Sequence, residues 1–240
     1  MILATGSRSV MPRLFPTSPR ILESRAFLDL PTLPESLIVV GGGVIGCEFA
    51  CLAARLGAAV TVVEMLPEIL AGLDADVRRD VVRHMTRTLG IRIRTGVGIQ
   101  DIADTGTAVT GTVGDAAVSA DRMLVAVGRA PVTDGLNLEM TGLATTATGH
   151  IAVDDQAQTR VAGIYAIGDV TPGVQLAHRA TADGLVAAEN AVCGRTTRIE
   201  RLVPACLFTT PEVGTVGLTE QAAKAASRNV REIGRASCRE

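Results

Sequence analysis

Three glycines and one acid carry the first chemical signal in the chain. Gly41, Gly43 and Gly46 hold the positions of G-x-G-x-x-G, and Glu64 follows Gly41 by 23 residues. A glycine turn and a ribose-binding acid are separated by about 20 residues in dinucleotide sites. Each residue type suits a ligand made of phosphates and hydroxyls. Gly41 permits a tight turn, Gly43 lets backbone approach a pyrophosphate, and Gly46 allows a helix to pack closely on a sheet. The free N–H groups and partial positive charge of the helix start then face the phosphates. Glu64 can accept hydrogen bonds from ribose hydroxyls and would repel a 2′-phosphate. No Lys or Arg follows it before Arg78, so NAD is preferred over NADP.

The elements that must position these residues surround them. An apolar run at 37–40 reads as a strand, the glycines as a turn, and the following residues as a helix. A second apolar run at 59–63 ends on Glu64. That order is the context the glycine pattern requires, and it argues against a glycine-rich turn with no ligand. A hydropathy window also flags 37–54 as a membrane span. Three consecutive glycines and Glu48 in mid-segment oppose that.

With 240 residues, 47% of them hydrophobic, the chain has ample material for a core and is not a disordered sequence. A net charge of −2 gives no electrostatic case for nucleic acid or an anionic membrane as partner. The first residues lack the basic-then-apolar pattern of a secretion signal. Five cysteines, an odd number without framework spacing, point to a reducing compartment, the cytoplasm by default.

Along the chain, Met1 opens directly on an apolar run, as an internal methionine would. Pro12, Pro16 and Pro19 mark an irregular connection, with a short helical pattern at 24–30. After Glu64, Asp74 suits the N-cap of a helix reaching Leu89, with Val77, Val81, Val82, Met85 and Leu89 apolar and its arginines solvated. Gly90 ends that helix, and 91–94 alternates as a strand. From 107 to 119, runs breaking at Gly111 and Gly114 predict an antiparallel meander. Residues 123–127 form a buried strand ahead of Gly128-Arg129-Ala130-Pro131. Residues 163–169 read as a strand turning at a glycine to present Asp169. Residues 175–192 read as a helix capped by Gly194. Residues 202–208 and 212–217 look like the first strands of another domain.

Several separated segments together match one pattern. Ala4-Thr5-Gly6-Ser7, Gly41-Gly42-Gly43-Val44-Ile45-Gly46-Cys47-Glu48, Gly128-Arg129-Ala130-Pro131, Tyr165-Ala166-Ile167-Gly168-Asp169 and Thr210-Pro211-Glu212-Val213 occur in this order. The chain thereby resembles the FAD-dependent pyridine nucleotide–disulfide oxidoreductases over residues 2–218. Leu176-Ala177-His178 most resembles the dihydrolipoamide dehydrogenase branch.

The resemblance implies an α/β fold. A Rossmann-like NAD-binding domain would be inserted in an incomplete FAD-binding Rossmann-like domain, before the start of an α+β dimerisation domain. The expected division is 1–33 and 150–198 for the flavin domain, 34–149 for the NAD domain and 199–231 for the interface domain. Residues 232–240 are expected to be a non-native tail. Thr5, Gly6 and Ser7 would lie against FAD, and Asp169 would hydrogen-bond its ribitol. Gln175, Leu176, Ala177 and His178 would approach the flavin ring, where a helix N-terminus stabilises negative charge. Gly41, Gly42, Gly43, Val44, Ile45, Gly46, Cys47, Glu48, Glu64, Ile99 and Gly128 would line the NAD site. Glu48 would also pair with a lysine beside the flavin. The family's redox cysteine pair, first flavin glycine motif and lysine are expected ahead of this segment, and its His-Glu pair beyond it.

The implied activity is electron transfer from dihydrolipoamide through a disulfide and FAD to NAD. The implied partners are a second copy of the full-length protein and the dihydrolipoamide-bearing domain of a 2-oxo acid dehydrogenase or glycine cleavage complex. The alternatives are another family member (mercuric or glutathione reductase, soluble transhydrogenase) or a non-catalytic dinucleotide-binding module. No catalytic residue and no metal-ligand cluster is expected in this stretch. Cys47 and Cys51, four apart on a helix, do not readily meet disulfide geometry and read as small core residues. His84 reads as a helix-surface residue, His150 as a loop residue, and His178 as acting by position.

Overall fold

The apolar runs of the sequence become neighbouring parallel strands buried on both faces. The computed structural model describes residues 1–194, 197–231 and 233–234. In chain order it begins with strands β1 (Ile2–Leu3), β2 (Ser7–Ser9) and β3 (Ile21–Leu22) and the short helix α1 (Ser24–Leu28). β4 (Ser36–Val40), α2 (Val44–Arg55), β5 (Ala59–Glu64), α3 (Ala75–Arg87) and β6 (Arg92–Thr95) follow. A meander of β7 (Ile99–Asp104), β8 (Val109–Val113) and β9 (Ala116–Ala120) leads to β10 (Arg122–Val125) and β11 (Arg129–Pro131). Beyond them lie β12 (Tyr165–Ala166), α4 (Ala177–Cys193), the pair β13 (Ala205–Leu207) and β14 (Val213–Thr215), and α5 (Glu220–Ala225).

Five strands form one parallel sheet in the order β3-β10-β4-β5-β6. The chain leaves β4 toward β5 and β6, then returns to place β10 on the other side of β4. That reversal makes a switch point beside the carboxyl ends of β4 and β10, where open α/β sheets take their ligands. β3 precedes residue 34, so the sheet starts earlier in the chain than the expected boundary. Ile21 and Leu22 pair with Met123 and Leu124.

Alternate residues of the strands feed two cores. Leu37, Val39, Val60 and Val62 pack with α2 and α3, whereas Ile38, Val40, Val63, Met123 and Val125 pack with the meander. Covering both faces explains runs that are apolar at every position. The buried side of α2 is built from Gly46, Cys47, Ala50, Cys51 and Ala53, whose small side chains admit the helix close to the sheet. Val81 and Met85 anchor α3. Each fully buried Leu, Ile or Met contributes roughly 1.5–3 kcal/mol.

Some local expectations change. α3 ends at Arg87, and Leu89 reaches the core from the turn beyond. Asp74 occupies the N-cap position, yet its carboxylate accepts the Glu220 N–H at 2.7 Å in place of a helix amide. Arg78 is not on the solvated face: it pairs with Glu68 and donates to the Leu73 carbonyl at 3.2 Å. Gly111 lies inside β8 and does not break it; a Cβ there would press on the Ile99 side chain. β7 has no strand period in the sequence because a bulge between Gln100 and Ala103, with Asp101 at φ 50°, interrupts its alternation.

The flanking segments close on each other. β1 pairs in parallel with β12, and β2 pairs antiparallel with β11. A separate core of Leu138, Leu143, Ile151, Ile164, Ala166 and Val170 lies nearby. The β13–β14 hairpin sends Leu207 and Val213 into the cluster of α2 and α3. Among the described residues no helix is long and apolar enough to cross a membrane. Of the expected tail, residues 232 and 235–240 lie outside the described residues.

Candidate functional site

A cavity of about 810 Å³ opens at the switch point. Gly41, Gly42, Gly43, Val44 and Ile45 form one wall, Glu64, Met65 and Leu66 a second, and Ala126, Val127, Gly128 and Arg129 a third. Ile99, Gln175 and Leu176 also reach it, as do Leu14 and Phe15 of the N-terminal connection. Ten residues assigned to the cofactors from sequence are thus together here: Gly41, Gly42, Gly43, Val44, Ile45, Glu64, Ile99, Gly128, Gln175 and Leu176.

The glycines divide the work sterically. Gly41 sits at φ 111°, and a Cβ there would collide with the Ala126 carbonyl. A Cβ on Gly46 would strike the Gly41 carbonyl oxygen, so Gly46 is what lets α2 approach the turn. Gly42 backs onto Ile69 and the Glu64 Cβ. A Cβ on Gly43 meets no protein atom within 4 Å. Gly43 is also the N-cap of α2 and offers no side-chain acceptor, so the first helical N–H groups keep their capacity to bind an anion.

Glu64 is tied into the turn. Its Oε2 accepts the Gly42 N–H at 2.6 Å and its Oε1 the Leu66 N–H at 2.7 Å. Gly41 N–H donates to the Val63 carbonyl, and Leu70 N–H to that of Gly42. The acid therefore organises the glycine turn before any ligand is considered. The 23-residue spacing locates the acid but carries no sign of this bond.

A second cluster joins three segments far apart in sequence. The Arg129 Nε–H donates to Ser7 Oγ at 2.7 Å, and the Ser7 hydroxyl donates to Asp169 Oδ2 at 2.6 Å. Arg129 also donates from Nη2 to the Ser7 carbonyl at 2.8 Å. Thr5 and Gly6 lie alongside, the Thr5 hydroxyl donating to the Val132 carbonyl and the Gly6 carbonyl accepting the Val132 N–H. Arg129 was not among the residues singled out from sequence, although its motif was.

Leu176 is the N-cap of α4 and makes no side-chain cap. The turn ahead of it is held by the buried Arg179, which donates to the carbonyls of Val174 and Pro172 and to the Thr171 hydroxyl. Arg179 pairs with the buried Asp183 at 3.1 Å. Burial pushes the Asp183 carboxyl above the usual range, against the pull of Arg179 and of the Gly168 amide. Neither residue carried a motif; both are legible only once α4 is placed.

Nine assigned residues lie off the cavity lining; four of them, Thr5, Gly6, Ser7 and Asp169, belong to the second cluster, and five lie elsewhere. Gly46 and Cys47 face the core, one turn along α2. Burial, then Cys51, Glu64 and Glu48, pushes the Cys47 thiol up to about 12, so it stays protonated. Glu48 Oε1 accepts the Phe208 N–H at 2.8 Å, tying α2 to the β13–β14 hairpin, a contact the sequence did not suggest. Ala177 and His178 begin α4 in exposed positions, and the His178 Nε2–H donates to the Pro204 carbonyl at 2.7 Å. Cys47, Cys51, Cys193 and Cys206 are free thiols. Among the described residues no group of His, Cys, Asp and Glu could hold a metal ion.

Comparison with known proteins converges with this geometry. The family described as pyridine nucleotide-disulphide oxidoreductase matches residues 1–184, and its dimerisation domain matches residues 203–239. A dihydrolipoyl dehydrogenase of Haloferax volcanii is 45% identical over 233 residues, which cover 94% of this chain and 49% of that protein. That of Halobacterium salinarum is 42% identical over 231 residues, covering 93% and 48%. The crystal structure of LpdA from Mycobacterium tuberculosis superposes with a TM-score of 0.86 at 34% identity, covering 94% of this chain and 50% of that one. The HOCl-induced flavoprotein disulfide reductase RclA of Escherichia coli gives 0.85 at 31%, covering 93% and 52%. The chain spans about half the length of the curated relatives it matches. With its model matched over 184 of 240 residues, the chain belongs to the pyridine nucleotide-disulphide oxidoreductase family.

Proposed function

We propose that this chain forms the NAD dock and part of the flavin site of an FAD-dependent dihydrolipoyl dehydrogenase. The observation that carries the reading is the cavity at the β4–β10 switch point, with Gly43 open to it and the start of α2 uncapped beside it. A dinucleotide fits that description. The amides of Val44 and Ile45 would hold its pyrophosphate, Glu64 would accept ribose hydroxyls, and Val44, Leu66, Ile99 and Val127 would shield it from water. On the flavin side Thr5, Gly6 and Ser7 would lie against FAD, Asp169 would accept from its ribitol, and the start of α4 would place positive potential near the ring. Bound FAD would supply the relay of electrons from a dithiol, by way of a disulfide, to NAD. This chain's part is to bind and orient; it contributes no redox cysteine pair and no proton-transferring base among the described residues.

The likeness to dihydrolipoyl dehydrogenases at 40–45% identity supports that substrate over others. A different flavoprotein disulfide reductase is the second reading, favoured by the superposition on RclA. The active protein would be a homodimer that serves the dihydrolipoamide-bearing domain of a 2-oxo acid dehydrogenase or glycine cleavage complex. The four cysteines among the described residues are free thiols, which favours a reducing setting, the cytoplasm. Fluorescence titration with NADH and NADPH tests the dock: NADH should bind more tightly, and equal affinity, or none for either, would remove the reading.

A further inference from the structure

The chain Arg129–Ser7–Asp169 joins β11, β2 and the turn after β12, and it runs between the two proposed cofactor regions. Arg129 lies in the wall of the nucleotide cavity, directly after Gly128. Its Nε–H donates to the Ser7 hydroxyl, whose own proton is committed to Asp169 Oδ2. The direct separation of Arg129 Nε from Asp169 Oδ2 is 3.9 Å, so Ser7 is the shorter route. Arg129 reaches the Ser7 carbonyl as well, and that fork fixes the guanidinium in one plane. The two side chains of the ion pair are only about a quarter exposed (28% and 25%), which limits solvent screening. Glu23 shares the guanidinium's field while it accepts the Ser9 hydroxyl.

We infer that Arg129 is a positioning residue for the flavin contact, aiming the Asp169 carboxylate through Ser7 while its backbone forms part of the nucleotide wall. This rests on the proposed flavin role of Asp169. A serine hydroxyl rotates freely, and a donor on one side fixes where its proton goes. With Arg129 in place the Ser7 proton is directed to Asp169, so one carboxylate oxygen is engaged and the other is left to accept from a ligand hydroxyl. Without Arg129, Ser7 can turn its proton elsewhere and Asp169 loses its fixed orientation.

The test is FAD binding to the full-length protein of which this chain is part, read from the dissociation constant and the flavin absorption band. Variants Arg129→Ala, Ser7→Ala and the double variant are compared, with Arg129→Lys as the conservative case. Arg129→Ala should weaken FAD by about tenfold, the value of one charge-assisted hydrogen bond, and alter the flavin band. Ser7→Ala should match it, and the double variant should lose no more than the worse single. Arg129→Lys, which keeps the charge but not the fork, should recover only part. Hydrogen exchange at residues 168–171 should rise in Arg129→Ala while β4 stays protected. Additive losses in the double variant would show that Arg129 acts independently of Ser7 and would overturn the inference, as would unchanged FAD affinity. Failure of the unsubstituted protein to bind FAD would remove the proposed function as well, which separates the two failures.

Discussion

At Glu64 a single carboxylate accepts the N–H groups of Gly42 and Leu66, filling two of about four acceptor positions. On the proposed function, the atoms that hold the turn are also the ones that choose the cofactor. Glu64→Gln keeps an oxygen for one amide and removes the charge that repels a 2′-phosphate. Its NADH affinity should fall by about tenfold while NADPH is less affected, so the ratio from paired titrations narrows. An unchanged ratio would show that Glu64 serves the turn alone. Glu64→Ala, which frees both amides, should weaken both nucleotides. The acid could be placed from its spacing behind Gly41 because that spacing is local. The Ser7–Asp169 bond spans 162 residues, and no periodicity of either segment encodes it.

Helix starts and buried pairs decide what happens at the scale of single elements. Glu23 caps α1 by accepting the Arg25 and Ala26 amides. Burial alone would raise its carboxyl, but those amides, the Ser9 hydroxyl and Arg129 outweigh burial and hold it below the usual range. A lowered folded value means the cap's contribution is complete above the ordinary Glu range and is lost as pH falls through the lowered value. Replacing Glu23 by Ala should cost about 1 kcal/mol at neutral pH and progressively less in acid, as urea unfolding across pH would record. On α4, Arg179→Met would strand a buried Asp183 and release the turn at 171–174. The expected cost is about 3–5 kcal/mol, with much of it recovered in Arg179→Met/Asp183→Leu by the same measurement. The strands buried on both faces were legible as unbroken apolar runs. β3 was not: two residues among prolines have no period, and only the facing Met123 and Leu124 make them a strand.

For the molecule as a whole, the five-stranded sheet is the self-supporting part, and the β1–β12 and β2–β11 pairs are too small to stand without neighbours. Cys47 and Cys51 are buried on one helix, and Cys193 and Cys206 are exposed single thiols. This chain by itself should therefore reduce no NAD with dihydrolipoamide in a spectrophotometric assay, and measurable turnover would show that one of these thiols is competent. Fold class and family could be read from motifs in order, because each motif is a local turn with its own steric demand. What escaped was how the segments close on one another, since Glu48–Phe208 and Asp74–Glu220 are contacts between a helix and a chain about 150 residues away.

β10 is the strand that completes the sheet, entering between β4 and β3 after both have been synthesised. Until residue 125 has emerged from the ribosome, Ile21 and Leu22 have no partner in that sheet, so they wait through roughly one hundred residues of translation. The same fact limits recombination. A gene segment cut at residue 34 would carry the glycine turn, Glu64 and the meander, yet leave Met123 and Leu124 on a bare, hydrophobic edge open to pairing between chains. To travel between proteins as a cassette, the nucleotide unit must bring Ile21 and Leu22 with it.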